Sequence, residues 1–572
     1  MHFRESFSRA LVAAAWLLAS SGAYADVLPG SVMPEQVAKT LRPKASLVPS
    51  GVAPQQDVKE QQAPTNVSPE AQKIKFKLNG VVITGNHVIP TEKLAPFYKD
   101  KLNQTITVAD LFKIVQNITN YYRNNGYIIS RAILPPQRVE GGMVKIQVIE
   151  GYIDKVNVTG EPHGSKCLVE GFGHQIRRCP PLNLTQLENY MLLVNEIPTT
   201  QVKAVLSPSK TAPGAADLNM ETNSNRMSAY FSYDNYGTRY IGPQQMTGNV
   251  ALYSAINSGD SLQYTFTKTP KGGELTFMDL NYNGPIGDQG TRWVLGGTRV
   301  HTHPLFVLQP TQTDGFNSNF YTSFIYPYIR SRAQSLNLTA GFNYLDSNTT
   351  TILGPLYTDH LRNLDIGMNY NFADRFYGAN MFAFNFRKGL PIWGYTSNTN
   401  LLTATTSRPG GYAAYQKVAG QYSRLQAVKG NVSLLAIAKG QWAFVPLLSS
   451  EQYTFGGNPL GRGYDPAELI GDRGASGSLE LRYDKGIGYV INNLQFYAFY
   501  DIGAVWNVLV TPSSPTKVSA SSTGFGIRFS MTKYVSGNLM WTQPLTKTVA
   551  AEELIGRGWR PRTYFSLVAN FG

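Results

Sequence analysis

One arginine and two carboxylates in the C-terminal part of the chain have the types and spacing for an ion pair held away from bulk water. Gly456-Gly457-Asn458-Pro459-Leu460-Gly461-Arg462-Gly463-Tyr464-Asp465-Pro466 is a glycine-dense loop in which Arg462 stands between two glycines and before an aromatic ring. Gly471-Asp472-Arg473-Gly474 follows, and then two alternating runs, Ser478 to Asp484 and Leu494 to Gly503. Side chains alternate across a strand. Leu479, Leu481 and Tyr483 therefore oppose Ser478, Glu480, Arg482 and Asp484. Likewise Leu494, Phe496, Ala498, Tyr500 and Ile502 oppose Gln495, Tyr497, Phe499 and Asp501. A soluble sandwich turns its polar face outward. The expectation here is the reverse, lipid outside and a wet lumen inside, with Arg462 folded in to meet Asp501 and Glu480. Taken alone, the Arg-Gly-Tyr tripeptide also reads as a surface loop with a solvated arginine.

Other reactive side chains do not assemble into a catalyst. His301-Thr302-His303 lacks a carboxylate at metal spacing in the sequence and reads as part of a loop. There is no G-x-S-x-G, Walker sequence or H-E-x-x-H. Neither an enzymatic activity, a metal nor a cofactor is expected.

Composition narrows the class. Charged residues make up 15% of the 572 residues, against roughly 25% in soluble domains. Aromatics reach 12%, and 53 residues are glycine. Mean hydropathy is nevertheless only -0.21, and beyond the N-terminus no apolar run is long enough for a spanning helix. Transmembrane strands reconcile these facts, because half of each short span is polar. The formal net charge of +14 comes without a basic run interleaved with stacking residues, so nucleic acid is not an expected partner. It reads as scattered lumen and surface charge, in contact with anionic lipid surfaces.

In chain order, residues 1–25 have the form of a secretory signal, with Arg4 and Arg9, an apolar run and Ala23-Tyr24-Ala25. Residues 26–42 contain a short helix candidate from Met33 to Leu41, with Pro34 in its first turn. Residues 43–72 form a Pro-rich linker. A compact α+β unit spans 73–151, with Thr107 capping an amphipathic helix and strands at Tyr127 to Leu134 and Met143 to Ile149. A second unit spans 152–224, with Asn183 as a helix cap and strands at Thr200 to Leu206 and Ala216 to Glu221. Both cysteines, Cys167 and Cys179, lie in it. In an oxidising compartment they are expected to form a structural disulfide, worth about 3 kcal/mol on the chain-entropy model. From 225 to 572 the chain is strand after strand with Asn, Gly and Asp between.

Arg462-Gly463-Tyr464 and Phe499-Tyr500-Asp501-Ile502-Gly503 resemble the two halves of the signature of the POTRA-plus-barrel superfamily, which includes the BamA insertase and the two-partner secretion transporters (TpsB; ShlB/FhaC/HecB type). Glu480 sits where relatives often carry a glutamate on the intervening strand. Asn125-Gly126-Tyr127, Leu134-Pro135-Pro136-Gln137 and Glu150-Gly151 resemble a first POTRA domain. Pro213-Gly214-Ala215-Ala216-Asp217-Leu218 resembles the turn into the last strand of a second. The resemblance implies a transmembrane β-barrel of about sixteen antiparallel strands, two α+β POTRA domains and an N-terminal plug helix with linker. For residues 26–42 a plug and an unstructured mature N-terminus both stay open. It also implies an outer-membrane location in a diderm bacterium, with the POTRA domains in the periplasm. The implied function is recognition and export of a large, separately encoded β-helical exoprotein of adhesin, haemolysin or toxin type. Outer-membrane lipids and, during biogenesis, the barrel-assembly machinery are the other expected partners. Client capture is expected by strand addition at POTRA edges, around Val144, Ile146 and Val148 and around Val202, Ala204 and Leu206. A BamA-like insertase and a passive solute porin are the alternative readings.

Overall fold

The computed structural model describes residues 28–42, 48–49, 74–270, 273–397, 405–488, 491–510, 515–546 and 560–571. The expected signal peptide and nearly all of the expected linker lie outside the described residues.

Sixteen antiparallel strands, from Met227–Asp234 to Arg562–Phe571, form one closed barrel in which each strand pairs with its neighbours in the wall. Closure runs from the Ser566–Asp234 pair to the Phe571–Ala229 pair. Closing the sheet gives every strand two partners and leaves no open edge to lipid. Polarity is inverted relative to a soluble fold. Along Ile491–Trp506, Phe496, Tyr500 and Ile502 are exposed, whereas Tyr497, Phe499 and Asp501 are buried. Leu479 and Leu481 are exposed on the neighbouring strand, and Ser478 and Glu480 are buried. The outward row from Tyr483 to Arg473 rises ~25 Å once strand tilt is included, the height of an outer-membrane apolar band. No described helix is long and apolar enough to cross a membrane.

The wall strands Val432–Ala443 and Arg473–Lys485 pair directly, so the segment between them leaves the sheet and turns into the lumen. It makes its own small hairpin, Tyr453–Phe455 against Leu469–Gly471.

Two α+β units precede the barrel. In the first, Met143–Ile149 lies between Gly80–Thr84, to which it is parallel, and Arg131–Ile133. Helix Val108–Asn124 lays Leu111, Ile114, Ile118 and Tyr122 on this sheet. Its start is fixed by a capping box in which Thr107 accepts from the Asp110 backbone N–H and the Asp110 carboxylate accepts in return. In the second, Ala216–Asn223 lies between Ile153–Glu161 and Gln201–Pro208 under helices Lys166–Arg177 and Leu184–Asn195. This unit docks on one end of the barrel, where Arg330 pairs with Glu196 at 2.7 Å and Arg332 with Glu188 at 3.3 Å.

Two expectations fail here. Val144, Ile146 and Val148 do not lie on an edge: their strand is hydrogen-bonded on both sides and all three side chains are core. The last strand of the unit is the middle one of its three-stranded sheet, parallel to Gly80–Thr84, and among the described residues only the outer strands of that sheet keep a free edge. Cys167 and Cys179 are not joined but free. Helix Lys166–Arg177 runs between them, and its ~1.5 Å rise per residue holds them far beyond the ~7 Å limit for bridged Cα atoms.

Candidate functional site

The lumen is organised by the inward loop. Gly461 has a φ of +90°, in the left-handed region that favours glycine, and the turn presents two consecutive backbone N–H groups to one carboxylate. Gly461 N and Arg462 N donate to Asp501 Oδ2 at 3.1 and 3.0 Å. The Arg462 side chain closes on the same group, Nε to Oδ2 at 2.9 Å and Nη2 to Oδ1 at 2.8 Å. Nη2 also donates to Ser478 Oγ at 2.9 Å, and Nη1 donates to Glu480 Oε2. The guanidinium lies 3.5 Å over the Phe499 ring. Arg462, Glu480 and Asp501 are all buried, and their pairing satisfies charges that would otherwise be costly to withdraw from water.

The neighbouring groups serve as supports. Tyr464 donates its hydroxyl to the Ser521 carbonyl at 2.8 Å, and Gly463 N donates to Ser522 Oγ at 3.2 Å. A side chain at Gly503 would run into the Phe455 ring, 2.3 Å from where its Cβ would sit. Glycine is thus required there by close approach. Glu480 also pairs with Arg482 and Arg528, each at 2.8 Å. Both arginines occupy inward positions of alternating strands, Arg482 two residues from Glu480 and Arg528 on a strand distant in the chain.

A second layer fills the same lumen. Helix Pro34–Leu41 lies against the inner wall formed by Thr291–Thr302 and Asp314–Arg330. Glu35 accepts from Ser347 Oγ at 2.7 Å and from the Tyr357 hydroxyl at 3.1 Å. Gln36 donates to the Ser449 carbonyl. Arg42 lies 3.8 Å over the Tyr321 ring and donates to Thr298 Oγ1 at 3.2 Å. Ser449–Glu451, at the root of the inward loop, is tied to the wall through Glu451, which pairs with Lys417 at 2.7 Å and Arg387 at 3.1 Å. Helix and wall therefore meet at the same short turn of the inward loop. No sequence pattern announced Ser449 to Gln452, because the turn's partners are all distant in the chain.

The remaining sequence candidates lie elsewhere. Val202 is buried, and Ala204 and Leu206 pack beside it, on Gln201–Pro208, an outer strand of the second unit. His301 ends a strand rather than lying in a loop, and Asp314 of the next strand meets its Nε2 at 2.6 Å and His303 Nδ1 at 3.5 Å. The carboxylate missing from the local sequence arrives across the loop. Even so, no group of three such residues among the described residues is arranged to hold a metal ion.

Comparisons with known proteins place this architecture. The family described as haemolysin secretion/activation protein ShlB/FhaC/HecB matches residues 214–529, more than half of the chain, and the POTRA domain, ShlB-type, matches residues 76–151. The chain belongs to the ShlB/FhaC/HecB family of secretion transporters. The heme/hemopexin transporter protein HuxB of Haemophilus influenzae (strain 86-028NP) is 26% identical over 277 residues, 48% of this chain and 49% of HuxB. That match thus spans about half of the relative's length. The outer membrane transporter CdiB of Dickeya dadantii (strain 3937) is 22% identical over 71% of this chain and 72% of its own. Among solved structures, CdiB from Escherichia coli superposes with a TM-score of 0.71 at 18% identity, over 91% of this chain and 94% of that one. This last likeness shows the fold. Family and barrel together place the chain in the outer membrane, with the α+β units on the periplasmic side.

Proposed function

We propose that this chain is the outer-membrane transporter of a two-partner (type Vb) secretion system. It takes an unfolded, separately encoded β-helical exoprotein from the periplasm and passes it through the barrel to the cell surface. The observation that carries this reading is the combination of periplasmic α+β units with a closed barrel whose lumen holds both a clasped loop and a helix. A passive solute porin has no use for the periplasmic units or for a pore filled from two directions.

Capture is assigned to Gln201–Pro208, whose outer side pairs with no strand among the described residues. An extended client adds there through main-chain hydrogen bonds, a mode that reads backbone more than sequence. Arg462 and Asp501 hold the inward loop and shape the conduit, and helix Pro34–Leu41 closes it at rest. The reading assigns no catalytic step. Some relatives are named for heme/hemopexin or hemolysin transport; for this chain the cargo is proposed only as the exoprotein class. Outer-membrane lipids and, during biogenesis, the barrel-assembly machinery complete the proposed partners.

The deciding experiment compares culture supernatants and outer membranes with and without this protein. Loss of one large secreted protein supports the transporter. General loss of outer-membrane barrels supports an insertase instead, and altered solute uptake alone supports a porin.

A further inference from the structure

On the outer surface, at the barrel end opposite the α+β units, four side chains fall on one rung of four adjacent strands. Arg473 pairs in register with Trp506, and Trp506 with Lys517. Trp442 lies one step beyond the Gln441–Gly474 pair, opposite Arg473. All four face outward by strand alternation, as the exposed Leu479, Ile502 and Phe525 do on the same strands. The order around the barrel is thus Trp, Arg, Trp, Lys.

Each cation is organised by an indole. The Arg473 guanidinium lies 3.9 Å over the Trp442 ring, and its Nε donates to the Ala443 carbonyl at 3.0 Å. The Lys517 ammonium lies 5.7 Å from the Trp506 ring. These contacts hold the two charges at the barrel surface instead of letting them extend into water. The rung caps the apolar band, at the depth where lipid headgroups lie. No carboxylate occurs in residues 442–449 or 506–517. The next outward rung toward the membrane centre is Gly440, Ala475, Ala504 and Ser519, all small. Beneath the charges the wall is therefore recessed.

We infer that this rung binds a phosphorylated saccharolipid of the outer leaflet. Its phosphate is held by Arg473 and Lys517, its sugar lies against the indoles, and its acyl chains lie over the recessed wall. The two cations sit two strands apart, about 10 Å, within reach of one headgroup for side chains of this length. A tryptophan girdle alone would anchor the barrel in any bilayer. Two cations interleaved with the indoles, with no carboxylate facing them among the described residues, select an anionic headgroup. The inference is independent of what the pore carries.

The test is native mass spectrometry of the full chain in detergent, titrated with bisphosphorylated lipid A, its dephosphorylated analogue, or lipid A in a large excess of inorganic phosphate. Heat-modifiable electrophoretic mobility confirms that each variant barrel is folded. The wild-type chain is expected to retain bisphosphorylated lipid A roughly tenfold or more better than R473Q/K517Q, and W442L is expected to fall between them. Equal retention by wild type and double variant would overturn the inference. So would equal retention of the dephosphorylated analogue, or displacement of the lipid by inorganic phosphate.

Discussion

Asp465 and Arg562 meet at 2.7 Å inside the barrel, joining the tip of the inward loop to the strand that closes the cylinder. Three residues earlier the same tip gives Arg462 to Asp501, on a wall strand three places away. The loop thus spans the wall beside the closing pair and is fastened at both ends of that span. Removing one member of such a buried pair leaves the other charge without its partner, which costs about 3–5 kcal/mol. Arg562→Ala and Asp465→Ala are each expected to destabilise the barrel by that amount. The double substitution should cost clearly less than their sum, as read by urea unfolding in detergent. Additive losses would show that the two groups act separately.

Glu35 and Arg42 tie the lumen helix to the wall. Glu35→Ala removes the acceptor shared by Ser347 and Tyr357, and Arg42→Ala removes the stacking on Tyr321. The double variant is expected to give larger and more frequent single-channel openings in planar bilayers than the wild type, with unchanged barrel assembly. Identical conductance would remove the helix from the list of pore-closing elements.

Client capture at Gln201–Pro208 predicts a contrast between two aspartate substitutions. Val205 is 47% exposed on that edge, so Val205→Asp should weaken client binding with little loss of stability. Ile146 is fully buried in the centre of the first sheet, so Ile146→Asp should unfold that unit. Limited proteolysis and client pull-down with the full chain distinguish the two effects.

Acid should loosen the first unit through its helix cap. Hydrogen bonds from the Thr107 backbone, and then from its hydroxyl, hold the Asp110 carboxyl below the usual carboxylate range. A group whose acidity is strengthened by folding stabilises the fold above its unfolded pKa, and the effect is lost as pH falls through the folded value. Thr107→Ala should cost about 1 kcal/mol near neutral pH and flatten the stability loss between neutrality and strong acid. Hydrogen exchange of helix Val108–Asn124 at two pH values reads this directly.

The barrel was legible because alternation survives in single strands. Phe496, Tyr500 and Ile502 against Tyr497, Phe499 and Asp501 identify a lipid face and a lumen face without any partner strand. The Arg462–Asp501 contact was legible because glycines on both sides of an arginine mark a backbone bent to present it. The order of strands within the first α+β unit was not, since nothing local to Val144 says that its strand pairs parallel to Gly80–Thr84. The cysteines misled for a related reason: eleven intervening positions permit a bridge across a loop but not along a helix. Arg528 was hidden because a charged residue on a strand's inward face shows no distant partner until the wall curves and brings Glu480 to it; Arg482, two residues from Glu480 on the same face, was within reach of alternation alone.

The clasp between Arg462 and Asp501 is tested most directly by client secretion from cells carrying Arg462→Ala or Asp501→Ala, measured with the amount of folded barrel in the outer membrane. Both variants are predicted to assemble and to release markedly less client than the wild type. The double variant should be no worse than either one. Wild-type secretion from both single variants would contradict the account.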